Sequence, residues 1–401
     1  MKVLQINSVC GIRSTGRICT DLAEILQRRG HLCTVAYGRE QTPEAYRDIS
    51  HRIGSDRAVK RHAIASRLFD SSGFHSNKAT REFLSYIDGY KPDVIHLHNI
   101  HGYYVNVEFL FDYLKKTKKP VVWTLHDCWA FTGHCSHYAA IGCGKWKMGC
   151  GRCPQKREYP KSAFLDKSKT NYLRKKNCFC GVPKLTIVTP SRWLAEEVKE
   201  SFLGDYPVKI IQNGIDTSVF CPVPGDFRKR YNLEGKTVIL GVATAWGDKK
   251  GLDRFFKLAQ LLDDRFRVVL VGLEDAQMRG LPRNVVGIKK TNSIEELAEI
   301  YTAADVCLSL SVEETMGLTV VEANACGTPA IVLNKTALPE LITEKNGIVV
   351  EGSSMECVAA MLRETDFKRR FSSDACISYA RTYEKTLKYA EYVKLYEEMV
   401  L

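Results

Sequence analysis

A chain of 401 residues, 45% hydrophobic and 26% charged, has the length for two α/β domains with a core each and the balance of an ordinary globular protein. No apolar leader opens it and no segment approaches the ~18 uninterrupted apolar residues of a membrane span, so a cytoplasmic location is expected. The net charge of +12 is uneven: 33 Lys and Arg face 18 Asp and Glu in residues 1–203, and 25 face 28 in residues 204–401, giving +15 and −3.

In chain order, apolar β-rich runs each lead into a helical pattern: KVLQIN (2–7), LCTVAYG (32–38), DVIHLH (93–98), PVVWTLH (120–126) and LTIVTPS (185–191). They lack alternation, as strands of a parallel sheet covered on both faces do. The first helix shows Ile18, Leu22, Ile25 and Leu26 on one face, with Gly30 beyond its end as a C-cap. An irregular stretch rich in Gly, Lys and Cys, at about 127–180, interrupts this half as an insertion.

After NGID (213–216) and CPVPGD (221–226) a second series begins: TVILGVA (237–243), RVVLVG (267–272), DVCLSLS (305–311), PAIVL (329–333) and GIVVE (347–351). Two doubly wound units predict two Rossmann-like domains facing each other across a cleft. The expected boundaries are 1–203 plus 378–401 for the first domain and 204–377 for the second. The terminal segment, periodic in Tyr379, Tyr383, Leu387, Ala390 and Leu395, is expected to be one helix crossing back to the N-terminal domain.

The stretch EETMGLTVVE (313–322) follows a strand and opens a helix. A glycine at that turn lets a ligand approach the backbone, and the first amides of the helix, at Gly317, Leu318 and Thr319, suit a diphosphate. Glu322, about a turn and a half in, is placed for ribose hydroxyls, and Glu314, beyond the strand end, for whatever hangs off the phosphates. Alone, these acids read equally as a solvated loop pair and an exposed helix residue.

Glu314-x7-Glu322 followed by ANACGTPAIV, with NGIDTSVF (213–220), DKKGLD (248–253), a glycine-bearing loop after the first strand and TLHD (124–127), resembles the family 4 retaining glycosyltransferases of GT-B fold. The resemblance covers essentially the whole chain. It implies Lys250 on the donor diphosphate, amides of Gly317, Leu318 and Thr319 on the phosphates, Glu322 on the ribose and Glu314 on the transferred sugar. It places His126 against the donor sugar and has Gly16 let the first loop approach the diphosphate or acceptor. His126 on its own reads also as a buried histidine satisfied by Asp127. Where many members carry an arginine about five residues before the lysine, this chain has Ala245 or Trp246, leaving Lys249 or Arg13 to compensate.

A departing diphosphate needs a metal or fixed cations and helix dipoles. The chain has no Asp-x-Asp, so Lys250 and the helix N-terminus are expected to serve, with no cofactor required for catalysis. No third acid is placed as a nucleophile, and the resemblance points to a front-face route in which Glu314 and His126 position the reactants.

Most of the fifteen cysteines are scattered through apolar segments and read as reduced core residues. The insertion differs: Cys135, Cys143, Cys150 and Cys153 are spaced x7, x6 and x2, which suits a tetrahedral structural zinc, with reduced thiols or a local disulfide as alternatives. The pattern HDxWxxTGxC continuing to CGxCP looks like that of polysaccharide-biosynthesis members of the family. The expected function is therefore transfer of a sugar from a nucleotide diphosphate sugar to a glycan or polyprenyl-pyrophosphate-linked acceptor in bacterial surface polysaccharide synthesis, whether O-antigen, capsule or exopolysaccharide.

The basic residues Lys115 to Lys119, Lys145 to Arg157 and Arg174 to Lys176 suggest peripheral contact with the cytoplasmic face of an inner membrane. Two alternatives remain open: a nucleotide-sugar epimerase or phosphorylase of the same fold, and a basic nucleic-acid-binding protein with a zinc knuckle. No nucleic-acid partner is expected, because no recognisable RNA or DNA module accompanies the charge.

Overall fold

In the computed structural model, which describes residues 1–352 and 354–401, the chain divides into two compact units, Met1–Gln212 with Lys388–Leu401, and Asn213–Leu387.

The first unit is built on a seven-stranded sheet ordered β3-β2-β1-β4-β5-β6-β7, from β1 (Lys2–Asn7), β2 (Leu32–Tyr37), β3 (Ser50–Arg52), β4 (Val94–Leu97), β5 (Val121–Thr124), β6 (Leu185–Thr189) and β7 (Val208–Ile210). All neighbours pair parallel. β4, β5 and β6 are buried along their whole length, which is why they read as unbroken apolar runs. The first helix, Arg13–Arg28, buries Ile18, Leu22, Ile25 and Leu26. Gly30, at φ +76°, closes it as its amide bonds to the Gln27 carbonyl.

The second unit carries a six-stranded parallel sheet ordered β10-β9-β8-β11-β12-β13, from β8 (Thr237–Val242), β9 (Phe266–Val271), β10 (Val285–Ile288), β11 (Val306–Ser309), β12 (Ala330–Leu333) and β13 (Gly347–Val350). Each sheet reverses its strand order once, at β1/β4 and at β8/β11. Such switch points are where open α/β sheets leave a crevice beyond the carboxyl ends of their strands.

The expected doubly wound architecture is present in both units, but the boundaries fall at 212/213 and 387/388 rather than 203/204 and 377/378. β7 extends the first unit past residue 203. The terminal segment is two helices, Ser373–Arg381 and Lys385–Val400, broken at Thr382 to Glu384. The first belongs to the second unit, where Gly327 lies so close to Ser373 that a Cβ there would stand 2.0 Å from its hydroxyl. The second returns to the N-terminal unit as expected, burying Tyr389, Tyr392, Val393 and Tyr396 against Val3, Ile18 and Leu22.

The insertion is not short of apolar material. Trp129, Phe131, Tyr138 and Trp146 are all at most 4% exposed, and the Trp146 ring lies 5.1 Å from Phe131 and 5.0 Å from Tyr138. A regular helix, Ser168–Phe179, closes it.

Candidate functional site

At the switch point of the second unit, the loops following β8 and β11 bring Lys250 and Glu314 together: the ammonium of Lys250 is bonded to Oε1 of Glu314. The two loops are tied by backbone as well, through Val312 N–H to the Lys249 carbonyl at 3.0 Å. Arg254 completes the join, donating to the Leu310 carbonyl at 2.9 Å and to the Asp248 carbonyl at 2.6 Å. Glu314 is further held by its amide on Thr336 Oγ1 at 2.9 Å.

Gly317 follows at φ +97°, a backbone state that suits glycine, and an added Cβ would stand 2.8 Å from Leu338. It caps the helix Leu318–Ala325. The amides of Leu318 and Thr319 are thus among the first of a helix, which have no carbonyl within the helix to bond and sit at the positive end of its dipole. One and a half turns on, Oε2 of Glu322 accepts the Tyr301 hydroxyl at 2.8 Å. Burial, and then the negative charge of Glu322, push the Tyr301 hydroxyl up well above its ordinary value. The solvated-acid reading fails in geometry: Glu313 is 4% exposed, and Glu314 and Glu322 are half-buried.

Neither residue in place of the family arginine supplies a cation. Trp246 is buried and spends its indole N–H on the Val271 carbonyl at 2.9 Å. Arg13 is paired with Glu40 at 2.7 Å.

In the first unit, His98 and His126 stand just beyond the carboxyl ends of β4 and β5. Nε2 of His126 lies 3.0 Å from Nδ1 of His98, and Nε2 of His98 lies 3.0 Å from Oε1 of Gln5 on β1. Burial lowers His126 to about 4, against a smaller upward pull from Asp127. Asp127 pairs with His101 at 2.8 Å. Burial alone would raise Asp127; the charge and hydrogen bond of His101 outweigh it and bring the carboxyl down to about 2.

Gly16 lies inside the first helix, not in the loop. A Cβ there would stand 3.1 Å from Val9 and 3.2 Å from the Gly11 amide, so its missing side chain lets the loop lie against the helix, and the left-handed loop glycine is Gly11 (φ +71°).

Cys135, Cys143, Cys150 and Cys153 line one small cavity with His134, Tyr138 and Trp146. The Cys135 and Cys153 thiols are hydrogen-bonded, and Gly133 N–H donates to Cys150 Sγ at 3.2 Å. None is in a disulfide. Among the described residues, no three His, Cys, Asp or Glu side chains are grouped closely enough to hold a metal ion as they stand.

The basic runs expected to face a membrane are largely committed elsewhere. Lys175 is 1% exposed, donates to the Trp129 and Thr132 carbonyls and lies 3.4 Å from the Trp129 ring centre. Arg174 grips Glu108 with two hydrogen bonds, Lys115 and Lys119 donate to main-chain carbonyls, and Lys147 pairs with Glu200. The local motif marks Glu314 and Glu322; it does not mark Tyr301, Arg254, Gln5 and His98, each of which bonds a residue between 21 and 93 positions away. The alternation HLH at 96–98 was the one local signal for His98.

The family model described as Glycosyltransferase Family 4 matches residues 15–219, and the one described as Glycosyl transferases group 1 matches residues 225–381. The putative colanic acid biosynthesis glycosyl transferase WcaC of Escherichia coli (strain K12) is 28% identical over 267 residues, 65% of this chain and 64% of that one, so the match spans less than two thirds of the relative's length. Sucrose-phosphate synthase from Thermosynechococcus elongatus superimposes with a TM-score of 0.72 at 16% identity, covering 99% of this chain and 98% of that one. Anabaena Alr3699/HepE in complex with UDP and glucose gives 0.67 at 14% identity, covering 99% and 100%. At those identities the structural likeness establishes the fold, GT-B, with its two Rossmann-like domains.

Proposed function

The chain belongs to glycosyltransferase family 4, and from that premise we propose that it moves a sugar, with retention of configuration, from a nucleotide diphosphate sugar to a glycan or polyprenyl-pyrophosphate-linked acceptor in bacterial surface polysaccharide synthesis. The observation that carries this reading is the Lys250–Glu314 pair beside the start of the Leu318–Ala325 helix, with Glu322 and its Tyr301 partner further along it. A diphosphate reaching the amides of Gly317, Leu318 and Thr319 would draw Lys250 from Glu314, freeing that carboxylate for the hydroxyls of the transferred sugar. Glu322 would hold the ribose. Lys250 and the helix dipole would stabilise the charge growing on the leaving diphosphate, the task a metal performs in other transferases. His126 would meet the donor sugar, and Gly16 would keep the first loop close to the diphosphate.

The UDP and glucose in the Anabaena structure support a nucleotide sugar as donor, and the colanic acid role in the name of the Escherichia coli relative supports a surface-glycan acceptor. The decisive experiment is a thermal-shift panel of nucleotides and nucleotide sugars, followed by transfer of label from the donor that stabilises the chain to a polyprenyl-pyrophosphate-linked saccharide. If no nucleotide sugar raises the melting temperature, the transferase reading falls.

Contact with a membrane surface is supported by a face the basic runs did not indicate. On the helix Asp56–Phe69 the exposed side chains Arg57, Lys60, Arg61, Ile64, Arg67 and Leu68 recur at helical spacing, with Phe69 at the end. Phe164 and Leu165 are exposed beside it, where Ala163 N–H bonds to the Arg67 carbonyl. Cations flanking exposed apolar side chains suit an anionic bilayer surface. Among the described residues no helix is long and apolar enough to cross a membrane.

For the four insertion cysteines, structural zinc is the proposal that their convergence on one cavity supports. Binding would require the thiols to draw in from the positions they take here, and the aromatic core of the insertion means that it does not depend on a metal for packing.

A further inference from the structure

We infer that His134 is a ligand of the zinc proposed for the insertion: its Nε2 completes a tetrahedral site with the thiolates of Cys135, Cys150 and Cys153, Asp70 orients the ring, and Cys143 takes no part. This rests on the zinc reading, and the tests below separate the two.

His134 and Asp70 are each 3% exposed, and Nδ1 of His134 lies 2.6 Å from Oδ1 of Asp70. A carboxylate only accepts, so Nδ1 carries the hydrogen and the neutral ring keeps its lone pair on Nε2. Among the described residues that Nε2 has no hydrogen-bond partner, and it is sealed from solvent. One ring nitrogen held by a carboxylate and the other left bare is the arrangement of metal-binding histidines, in which the carboxylate fixes the tautomer and raises the basicity of the ligating nitrogen.

Asp70 is pinned in its turn. It follows the helix Asp56–Phe69 at φ +48°, its Oδ2 accepts Lys167 N–H at 2.6 Å, and its carbonyl accepts the Asn171 side-chain amide at 2.6 Å. The ring of His134 is therefore placed by one helix end and by the start of the helix Ser168–Phe179.

His134 lines the cavity that the four cysteines share, whose volume of about 20 Å³ admits one ion or one water and nothing larger. Trp146 lines it too, 1% exposed, and its indole N–H has no partner among the described residues either. A buried lone pair and a buried N–H are thus left unanswered in one cavity, and neutral thiols are weak partners for both. A zinc ion takes the lone pair. The three thiols that bind it give up their protons, and the resulting thiolates accept N–H groups, as Cys150 Sγ already does from Gly133 at 3.2 Å.

The choice of three cysteines follows from their ties to this segment. Cys135 is next to His134 in the chain, and its thiol is hydrogen-bonded to that of Cys153. Gly133 presses so closely on Cys150 that an added Cβ would stand 2.7 Å from the Cys150 Cβ. Cys143 lines the cavity without such a tie, and with His134 the closed site has its four ligands.

Zinc analysis and X-ray absorption of the full chain, purified under reducing conditions, test this. The expected result is one equivalent of zinc with three sulfurs at about 2.3 Å and one nitrogen at about 2.0–2.1 Å. Four sulfurs without nitrogen overturn the inference and leave the zinc reading standing. A chain that holds no zinc and takes up none when it is added, its cavity containing water only, overturns both. His134→Ala should lose the ion, while His134→Cys and Cys143→Ser should keep it; retention in the first or loss in Cys143→Ser overturns the inference. Should His134→Ala fail to fold, the absorption spectrum of the parent still decides. Asp70→Asn keeps an acceptor for Nδ1 but not the charge behind it, so zinc affinity, read by competition with a chelator, should fall about 10–100-fold. An unchanged affinity overturns the part assigned to Asp70.

Discussion

The ammonium of Lys250 and the carboxylate of Glu314 neutralise each other at the switch point of the second sheet, although 64 residues separate them in the chain. Each guards the other from being an unpaired charge in a half-buried site, so removing one should do more than remove its own contact. Lys250→Ala leaves Glu314 as a bare anion beside the proposed diphosphate position. The expected outcome is a loss of nucleotide-induced stabilisation and a fall in kcat/KM on the order of 10²–10³. Glu314→Gln keeps the shape and removes the repulsion, so nucleotide stabilisation should persist while kcat falls. Thermal shift and steady-state kinetics on both variants check this, and equal behaviour of the two would contradict it.

Glu322 and Tyr301 form a second unequal pair. Glu322→Ala removes the proposed ribose ligand and strands the fully buried Tyr301 hydroxyl, at a cost of about 1–3 kcal/mol to stability. Tyr301→Phe removes the hydroxyl cleanly and should cost about 1 kcal/mol or less. Nucleotide stabilisation should vanish in the first variant and survive, weakened, in the second, as read by calorimetry and urea unfolding.

Asp127 links stability to acid. Its carboxyl is lowered from 3.8 to about 2 by His101, so its contribution is present in full above pH 3.8 and is lost as pH falls towards 2. Asp127→Asn should be less stable than the parent by about 2 kcal/mol at neutral pH, and the gap should close between pH 4 and 2. Denaturant midpoints measured across that range test the sign.

The insertion cysteines give a direct analytical result. If they bind structural zinc, the protein purified under reducing conditions contains one equivalent, and Cys150→Ser or Cys153→Ser loses it. Metal-free protein that gains no stability on titration with zinc would leave them as reduced thiols packed against Trp146.

For the exposed stripe, the double substitution Ile64→Glu with Leu68→Glu should weaken co-sedimentation with anionic vesicles at least about tenfold, and raised salt should weaken the parent as well. Neutral vesicles should bind little. Binding indifferent to both substitutions and salt would remove this face from consideration.

The contrast between what pattern revealed and what it concealed has a simple physical basis. β1 was legible to the residue because six consecutive positions of a central parallel strand are nearly all buried, so the apolar run and the strand coincide. β3, β7 and β10 were not legible: they are edge strands of only three or four residues, partly exposed and too short to set a pattern of their own. The break at Thr382 was hidden because the residues on either side continue the helical period. Glu314 and Glu322 were found through a local motif, glycine and helix included. Lys175 was misread as a surface cation because its carbonyl partners lie more than forty residues earlier. Side-chain chemistry that depends on distant partners leaves no period in the sequence.

Arg254 stiffens the loops that carry Lys250 and Glu314 by bonding their main chain. By donating to carbonyls of both the 248–250 loop and Leu310, it staples two peptide segments to the first turn of the Leu252–Leu261 helix. The spacing of Lys250 from Glu314 is consequently inherited from a helix rather than negotiated between two mobile side chains. A change at Arg254 would loosen the proposed grip on a diphosphate while leaving Lys250 and Glu314 themselves unaltered.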